Sequence, residues 1–543
     1  MSSSRTGTAR LARLALRRDR VQLPVWILSI AALGAFAASA IGTQYPTEAD
    51  RLAVLRVAVE TPGLLIFRAA PTGTSDGQMT VFGILAILAL MAGFMSTLAV
   101  VRHTRQNEET GRTEMIGATA VGRQASLTAA LAVVVGANLA LAALIGLTLA
   151  GNGEPAGGSF AAGAGVGAAG IAFAGIAAVA AQLTQGARAA NGMAAAAVGT
   201  AYLIRGLADA FGDVQPNGYT MTSAWPSWLS PIGWTLQLRP FAGDRWWVLA
   251  LPLVCFAITT AAAFALAARR DVGTGLLADR PGPTRASAAL LGPLGLAWRL
   301  QRGTLCGWAV TIVAFGLVVG SIGNAVQDQL MTNENVRGRL DDLAGGGGHE
   351  AMDSFFAAMM ATIAVLVAGY LVQALLRARA EESSGRVEAV LATATGRLAW
   401  LGGHVVVATA GAVAMLGLAG VTIGLVYGAS AGHLGGQIRH LAATAYLQLP
   451  AVLTLAGLAV ALLALVPRIS MGLTWFAFAL SFVLGPYGTL FGVPETVRAI
   501  SPFSHVPSAP AEATAAPIVA MSAAALALGL AGLATFRRRD LVG

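Results

Sequence analysis

Apolar stretches long enough to cross a bilayer recur from one end of this sequence to the other, and no other feature restricts the fold so severely. A helix needs about 20 predominantly apolar residues to span a hydrocarbon core. Such blocks fall near residues 23–42, 80–101, 126–150, 159–181, 189–211 and 246–267, then near 304–323, 355–376, 401–427, 440–465, 469–490 and 515–536. Charged residues make up only 11% of the 543 positions, against about 25% in soluble domains, too few to cover several soluble domains of this total length. The pattern predicts an all-α integral membrane protein with about 12 transmembrane helices, since only helices and closed barrels satisfy their backbone in lipid.

All 35 basic residues are arginine. With the abundance of alanine and glycine, this suggests a GC-rich bacterial genome. A P-loop reaches the β/γ-phosphates with a lysine, so the chain has no ordinary ATP-hydrolysing domain of its own. Starting the N-terminus in the cytoplasm places 25 arginines and 10 acids on that side, and 10 arginines and 16 acids on the other. That is the positive-inside bias, so both termini are expected in the cytoplasm of a bacterial cell with the chain in its cytoplasmic membrane. The basic patches then face membrane lipid and cytoplasmic partners, which accounts for the net charge of +9 without nucleic acid. Arginines before the first apolar block imitate a secretory signal, but the block is long for one and the pattern returns in mid-chain, so no cleavage is expected. Cys255 and Cys306 lie in apolar blocks and are expected as small buried hydrophobes, with no disulfide or metal framework.

The chain repeats itself. Residues 105–123, RQNEETGRTEMIGATAVGR, align without a gap to residues 379–397, RAEESSGRVEAVLATATGR, with 10 of 19 positions identical. Leu14-Ala-x-Arg17-x-x-Arg20-x-x-Leu23-x-x-Trp26 recurs as Leu296-Ala-x-Arg299-x-x-Arg302-x-x-Leu305-x-x-Trp308. Ser230-Pro231 recurs as Ser501-Pro502, and Arg269-Arg-Asp271 as Arg538-Arg-Asp540. Two homologous six-span halves of the same orientation follow, residues 1–275 and 294–543, joined by a linker at 276–293.

The repeated polar segment follows the second span of each half. Glu108 and Arg112, like Glu382 and Arg386, stand four apart in the order that favours an ion pair on a helix. Gly111 and Gly385 interrupt that pattern and are expected to let a short helix turn sharply. Side chains preserved twice in otherwise divergent halves point to function, and a rigid charged helix exposed to the cytoplasm would suit a motor that pushes on membrane helices. Before the first span, Arg10, Arg13, Arg17 and Arg20 share one helical face, and Arg299 and Arg302 recur before the seventh. These stretches read as helices lying in the membrane interface.

Taken together, these residues resemble the permease subunits of type 2 ATP-binding-cassette exporters, whose halves have six spans, an interfacial elbow helix and a charged cytoplasmic coupling segment after the second span. That segment typically reads R-x-x-E-x-x-G-x-x-E, then a small-residue turn and a basic residue. Arg105, Glu108, Gly111, Glu114 and Arg123 match it, as do Arg379, Glu382, Gly385, Glu388 and Arg397. Ala120-Val121 and Ala394-Thr395 depart from the proline that many relatives carry in the turn. The fused twelve-span layout is most similar to actinobacterial exporters of polyketide antibiotics. The resemblance implies two copies of a separate ATPase subunit, which would bind ATP and magnesium, docked beneath the coupling segments. It implies coupling roles for these residues and for Glu109, Arg112, Glu381 and Arg386, and hydrophobic drugs, antibiotics or lipids as substrates.

Lesser features read more plainly. Arg205 and Asp209 near one end of the fifth span are expected to pair or snorkel, with no counterpart around Leu484-Gly-Pro-Tyr487. Trp225, Trp228, Trp234, Trp246 and Trp247 suit interfacial anchoring. Asp328, Glu334, Asp341, Asp342, His349, Glu350 and Asp353 suit a solvated loop. A proton-coupled secondary transporter of the major facilitator type also has twelve spans in two halves, but it usually carries a Gly-x-x-x-Asp-Arg-x-Gly-Arg-Arg-like loop that this chain lacks. A membrane enzyme would need acids and histidines clustered at one interface, and His404, His433, His440 and His505 share no spacing.

Overall fold

The computed structural model describes residues 3–277, 284–332, 348–485, 494–507 and 514–540. It divides into two compact units, Met1–Pro281 and Gly282–Gly543. Each is a bundle of helices. Among the described residues, the strands form a single two-stranded antiparallel hairpin, Asp213–Val214 with Met221–Thr222.

Among the described residues, ten helices are long and apolar enough to cross a membrane. In the first half they are Gln22–Gln44, Asp76–Glu109, Ala125–Gly151, Ala156–Leu183 and Trp246–Ala268, and in the second Pro293–Asn324, Phe355–Ser383, Arg397–Ser430, Leu434–Leu465 and Ala515–Arg538. The two remaining positions of the expected twelve are the fifth of each half. Ala187–Ala210 has the length, 24 residues, but Arg188, Arg205 and Asp209 make it less apolar. Ser470–Leu484 is apolar but has 15 residues, about 22 Å of helix against a core of roughly 30 Å.

Small residues set the packing of the first half. The fourth span, Ala156–Leu183, is buried along most of its length, because its alanines and glycines let neighbouring backbones approach in the way that dispersion packing in lipid requires. A Cβ on Gly163 would stand 2.2 Å from the Ala142 carbonyl oxygen of the third span, and one on Gly167 would stand 2.7 Å from that of Asn138. Around this contact Leu88, Val134, Leu141, Val166 and Phe173 form one apolar core. The second half has its own, built on Ile363, Leu371, Leu416, Ile423 and Leu455.

The Ser-Pro landmark proves to be one device used twice. After the fifth span of the first half, the chain turns into a short buried helix, Pro231–Gln237, whose N-terminus is capped by Ser230. The same hydroxyl donates to the Ala201 carbonyl of the fifth span at 2.7 Å. In the second half Ser501 donates to the Ser481 carbonyl, again on the fifth helix, at 2.9 Å. Both serines are buried.

Several expectations need correction. Cys306 is exposed on its helix and Cys255 is half-buried, since each occupies an outward face of an apolar span. Arg205 and Asp209 do pair, at 3.1 Å, but both are fully buried and neither snorkels. Arg205 also donates to the carbonyls of Ile66 at 3.0 Å and of Arg68. It thereby holds the end of the short helix Pro62–Phe67 against the fifth span. Of the acids and histidine expected in a solvated loop, Asp328 lies instead in the helix Pro293–Thr332, and His349, Glu350 and Asp353 in the helix Gly348–Ser383, where Asp353 pairs with His440 at 3.1 Å. Glu334, Asp341 and Asp342, residues 486–487 and residues 278–283 of the linker lie outside the described residues. Trp225, Trp246 and Trp247 are exposed, and Trp228 stacks on Trp247 with ring centroids 5.8 Å apart.

Candidate functional site

The repeated segment forms the same turn in both halves. The second span of the first half continues through Arg105–Glu109. Gly111 then takes a left-handed backbone, φ 70°, and a new short helix runs over Arg112–Gly117. In the second half the helix Gly348–Ser383 is followed by Gly385 at φ 72° and the short helix Arg386–Leu391. The expected sharp turn is therefore present at both glycines. A left-handed residue breaks helical register, so Glu108 does not pair with Arg112, nor Glu382 with Arg386, as their spacing suggested.

The glutamates turn inward instead. Arg105, fully buried, reaches Glu108 at 2.7 Å and donates to the carbonyls of Ala181 and Thr274 at 3.0 and 2.9 Å. Glu108 in turn accepts both terminal nitrogens of Arg270, at 2.7 and 2.8 Å. Arg270 completes its fork on the Gln182 side-chain oxygen at 2.8 Å, and Arg123 donates to the Arg270 carbonyl at 2.7 Å. In the second half Arg379 meets Glu382 at 3.2 Å, Arg539 meets Glu382 at 2.8 Å, and Arg397 donates to the Arg539 carbonyl at 2.7 Å. Each half thus binds the end of its second span to the tail of its sixth through an arginine–glutamate–arginine cluster. Arg270 and Arg539 are the members of these clusters that sequence reasoning missed. The duplicated Arg-Arg-Asp landmark carried the signal, but nothing in the chain order placed it beside the glutamates.

What remains exposed is narrower than the charged helix expected. Arg105, Glu381 and Glu382 are buried and Glu108 is mostly so, because each satisfies its charge inside its own half. Glu109 lies at the surface, where its carboxylate accepts the Ala187 amide at 3.0 Å. Glu381 bridges Arg377 and Arg386, both at 2.9 Å. The short helices present Arg112, Glu114 and Met115 in the first half, and Arg386 and Glu388 in the second. Val387 anchors the second short helix, buried with Trp400, Leu401 and Phe536.

The N-terminal arginines divide as well. Thr8–Arg18 is a separate helix that exposes Arg10, Arg13 and Arg17. Arg20 lies past its end, beyond the turn at Asp19, so it does not share that helical face. In the second half Arg299 and Arg302 lie within the span helix itself, Pro293–Thr332, which runs unbroken through them. The break has a partner set. Asp19 is buried between Arg102 at 2.8 Å and His103 at 2.7 Å. Burial alone would raise the Asp19 carboxyl, but the hydrogen bond and charge of His103, aided by Arg102, outweigh it and hold the carboxyl below its ordinary range. The aligned residue of the second half is Gln301, which donates instead to His404 of the third span at 3.0 Å.

Comparison with known proteins agrees with this architecture. The family model described as "Multidrug efflux system permease Rv1217c, C-terminal domain" matches residues 290–537. The chain is 38% identical over 540 residues to the multidrug efflux system permease protein Rv1217c of Mycobacterium tuberculosis (strain ATCC 25618 / H37Rv), covering 99% of this chain and 95% of that protein. Two bundles of bilayer-length helices, each closed by the same charged cluster, and a likeness that runs from end to end place this chain in the family of multidrug efflux system permeases.

Proposed function

We propose that this permease is the membrane-spanning subunit of an ATP-driven exporter whose hydrolysis is carried out by a separate subunit. The observation that carries the reading is the duplicated turn. In each half a short surface helix follows a left-handed glycine, and the second span beside it is clamped to the sixth by buried ion pairs. A push on the helix Arg112–Gly117 or Arg386–Leu391 would move two spans together. Two such levers suit two copies of an ATPase subunit, which would supply ATP and magnesium, and the lack of any P-loop lysine fits that division of labour. In this reading both termini and the levers are cytoplasmic in the bacterial cytoplasmic membrane. The relative named above is a multidrug permease, and hydrophobic drugs, antibiotics or lipids are the proposed substrates here.

Docking falls to the exposed Arg112, Glu114, Arg386 and Glu388, and coupling to the buried clusters. The test is purification from the native host with quantitative mass spectrometry and an ATPase assay on the eluate, using the wild type and the E114K/E388K double variant. Two ATPase subunits per wild-type chain, lost in the variant while the chain stays in the membrane, would support the reading. A chain that purifies alone and transports in response to a proton gradient would replace it with a secondary transporter.

A further inference from the structure

Beside the N-terminal helix of the first half lies a groove that shares Arg112 with the proposed docking surface but is otherwise built from residues outside it. Two adjoining cavities of about 480 and 600 Å³ share Leu11, Arg112 and Ile116. Together they form one groove between the helix Thr8–Arg18 and the short helix Arg112–Gly117. Arg10, Arg17, Arg18 and Arg112 line it, and no carboxylate does. Among the described residues Arg10, Arg17 and Arg112 form no ion pair, and Arg18 finds only the neutral Asn107, at 2.7 Å. The nearby Asp19 is committed to Arg102 and His103. Four positive charges therefore converge with no carboxylate among the lining residues, and burial and the repulsion of Arg112 lower the affinity of Arg18 for its proton more than the attraction of the neighbouring Asp19 raises it.

The second half shows that this is a choice at particular positions. By the alignment of the repeats, Asn107 corresponds to Glu381, whose carboxylate neutralises Arg386, the counterpart of Arg112, at 2.9 Å. Arg10 and Arg18 correspond to Gly292 and Leu300. The second half thus removes two of the charges and supplies an acid for a third, whereas the first half keeps all of them and offers an amide where the acid would stand.

We infer that the groove of the first half binds the phosphate-bearing headgroup of an anionic phospholipid from the adjacent leaflet. Charge complementarity calls for an anion, and arginine forks suit phosphate oxygens. The apolar part of the lining favours a lipid over a free ion. Leu11, Leu14 and Ile116 border the groove, and Ala129 and Ala130 close it within the first two turns of the third span. That is where the glycerol region of a lipid meets a membrane helix. The inference needs only the membrane permease, so it stands or falls apart from the ATPase reading.

The full chain, delipidated in detergent, would be titrated with short-chain phosphatidylglycerol, with short-chain phosphatidylcholine and with glycerol phosphate. Bound lipid is counted by native mass spectrometry and thermal stabilisation is followed in parallel. Phosphatidylglycerol is expected to bind and stabilise, and the other two to do neither. Removing charge in R17Q and R112Q should weaken retention by roughly fivefold for each arginine. N107E, which imports the acid of the second half, should abolish retention while leaving the lipid-free melting temperature near that of the wild type. If N107E destabilises the fold, the surface variant R17Q/R112Q decides alone. Equal binding of phosphatidylcholine, equal stabilisation by glycerol phosphate, or undiminished retention in R17Q/R112Q would each overturn the proposal. So would a loss of the bound lipid when an ATPase partner is present, since an acidic protein surface would then be the occupant.

Discussion

Glu108 receives both terminal nitrogens of Arg270, at 2.7 and 2.8 Å, from a residue 162 positions further along the chain. The bond closes the first half on itself at the point where the second and sixth spans end. Glu382 and Arg539 repeat it at 2.8 Å across 157 positions.

Removing the carboxylate alone should therefore be costly. Glu108→Gln leaves Arg105 and Arg270 largely buried without an anion, and breaking a buried pair in this way typically costs about 3–5 kcal/mol. The thermal midpoint in detergent, read by size-exclusion after heating, should fall clearly. The E108Q/R270Q double variant should lose less than the two single losses added together, since the interaction can be lost only once. Additive losses would show that the pair is not coupled.

The left-handed glycines should be replaceable only at a price in backbone energy. A Cβ on Gly111 or Gly385 meets nothing within 4 Å, so the strain comes from φ alone, about 1–2 kcal/mol. Gly111→Ala and Gly385→Ala should each reduce stability by that amount, and asparagine, which visits this region more readily, should cost less at both positions. An alanine variant as stable as the asparagine one would contradict the turn described here.

The two Ser-Pro corners should differ in strength. Ser230 donates to a carbonyl and also caps Ile232 and Gly233, whereas Ser501 donates to the Ser481 carbonyl. Ser230→Ala is expected to cost about 2 kcal/mol, from a lost cap and a lost buried bond. Ser501→Ala should cost about 1 kcal/mol. Paired thermal melts of the two variants read the difference directly.

Arg205 should control the order of the connection it holds. Arg205→Met would free the carbonyls of Ile66 and Arg68 and strand the buried Asp209, so amide exchange should accelerate across residues 62–70. Unchanged exchange there, in a folded variant, would mean that Tyr202, which donates to the Phe67 carbonyl at 2.9 Å, suffices on its own.

Glu154 gives the first half a pH dependence. Burial raises its carboxyl above the ordinary glutamate range, and the charge of Asp76 adds to this, against the opposing Gly77 amide and Arg51. A carboxyl raised on folding contributes stability that is fully present below its unfolded pKa and lost as pH rises through its folded one. Stability should therefore decline from mildly acidic pH toward neutrality. Glu154→Gln should flatten that slope in a series of melts across the range.

The sequence by itself determined the solvent of this protein, the duplication and the turns. Bilayer-length apolar blocks admit few folds, arginine and acid counts bias the two faces, and a glycine kept twice between charged residues marks a backbone that other residues resist. These are local or statistical properties, and chain order preserves them. Which charges face a partner was decided only by tertiary structure. Glu108 and Glu114 look alike in the repeat, yet one is clamped by Arg270 and the other lies in solvent, because the tail of the sixth span folds back beside the end of the second. The same holds for the break at Asp19, which exists where Arg102 and His103 converge on a carboxylate and vanishes where Gln301 stands. A contact between residues more than a hundred positions apart depends on how helices pack, and packing is not written in any one segment of the chain.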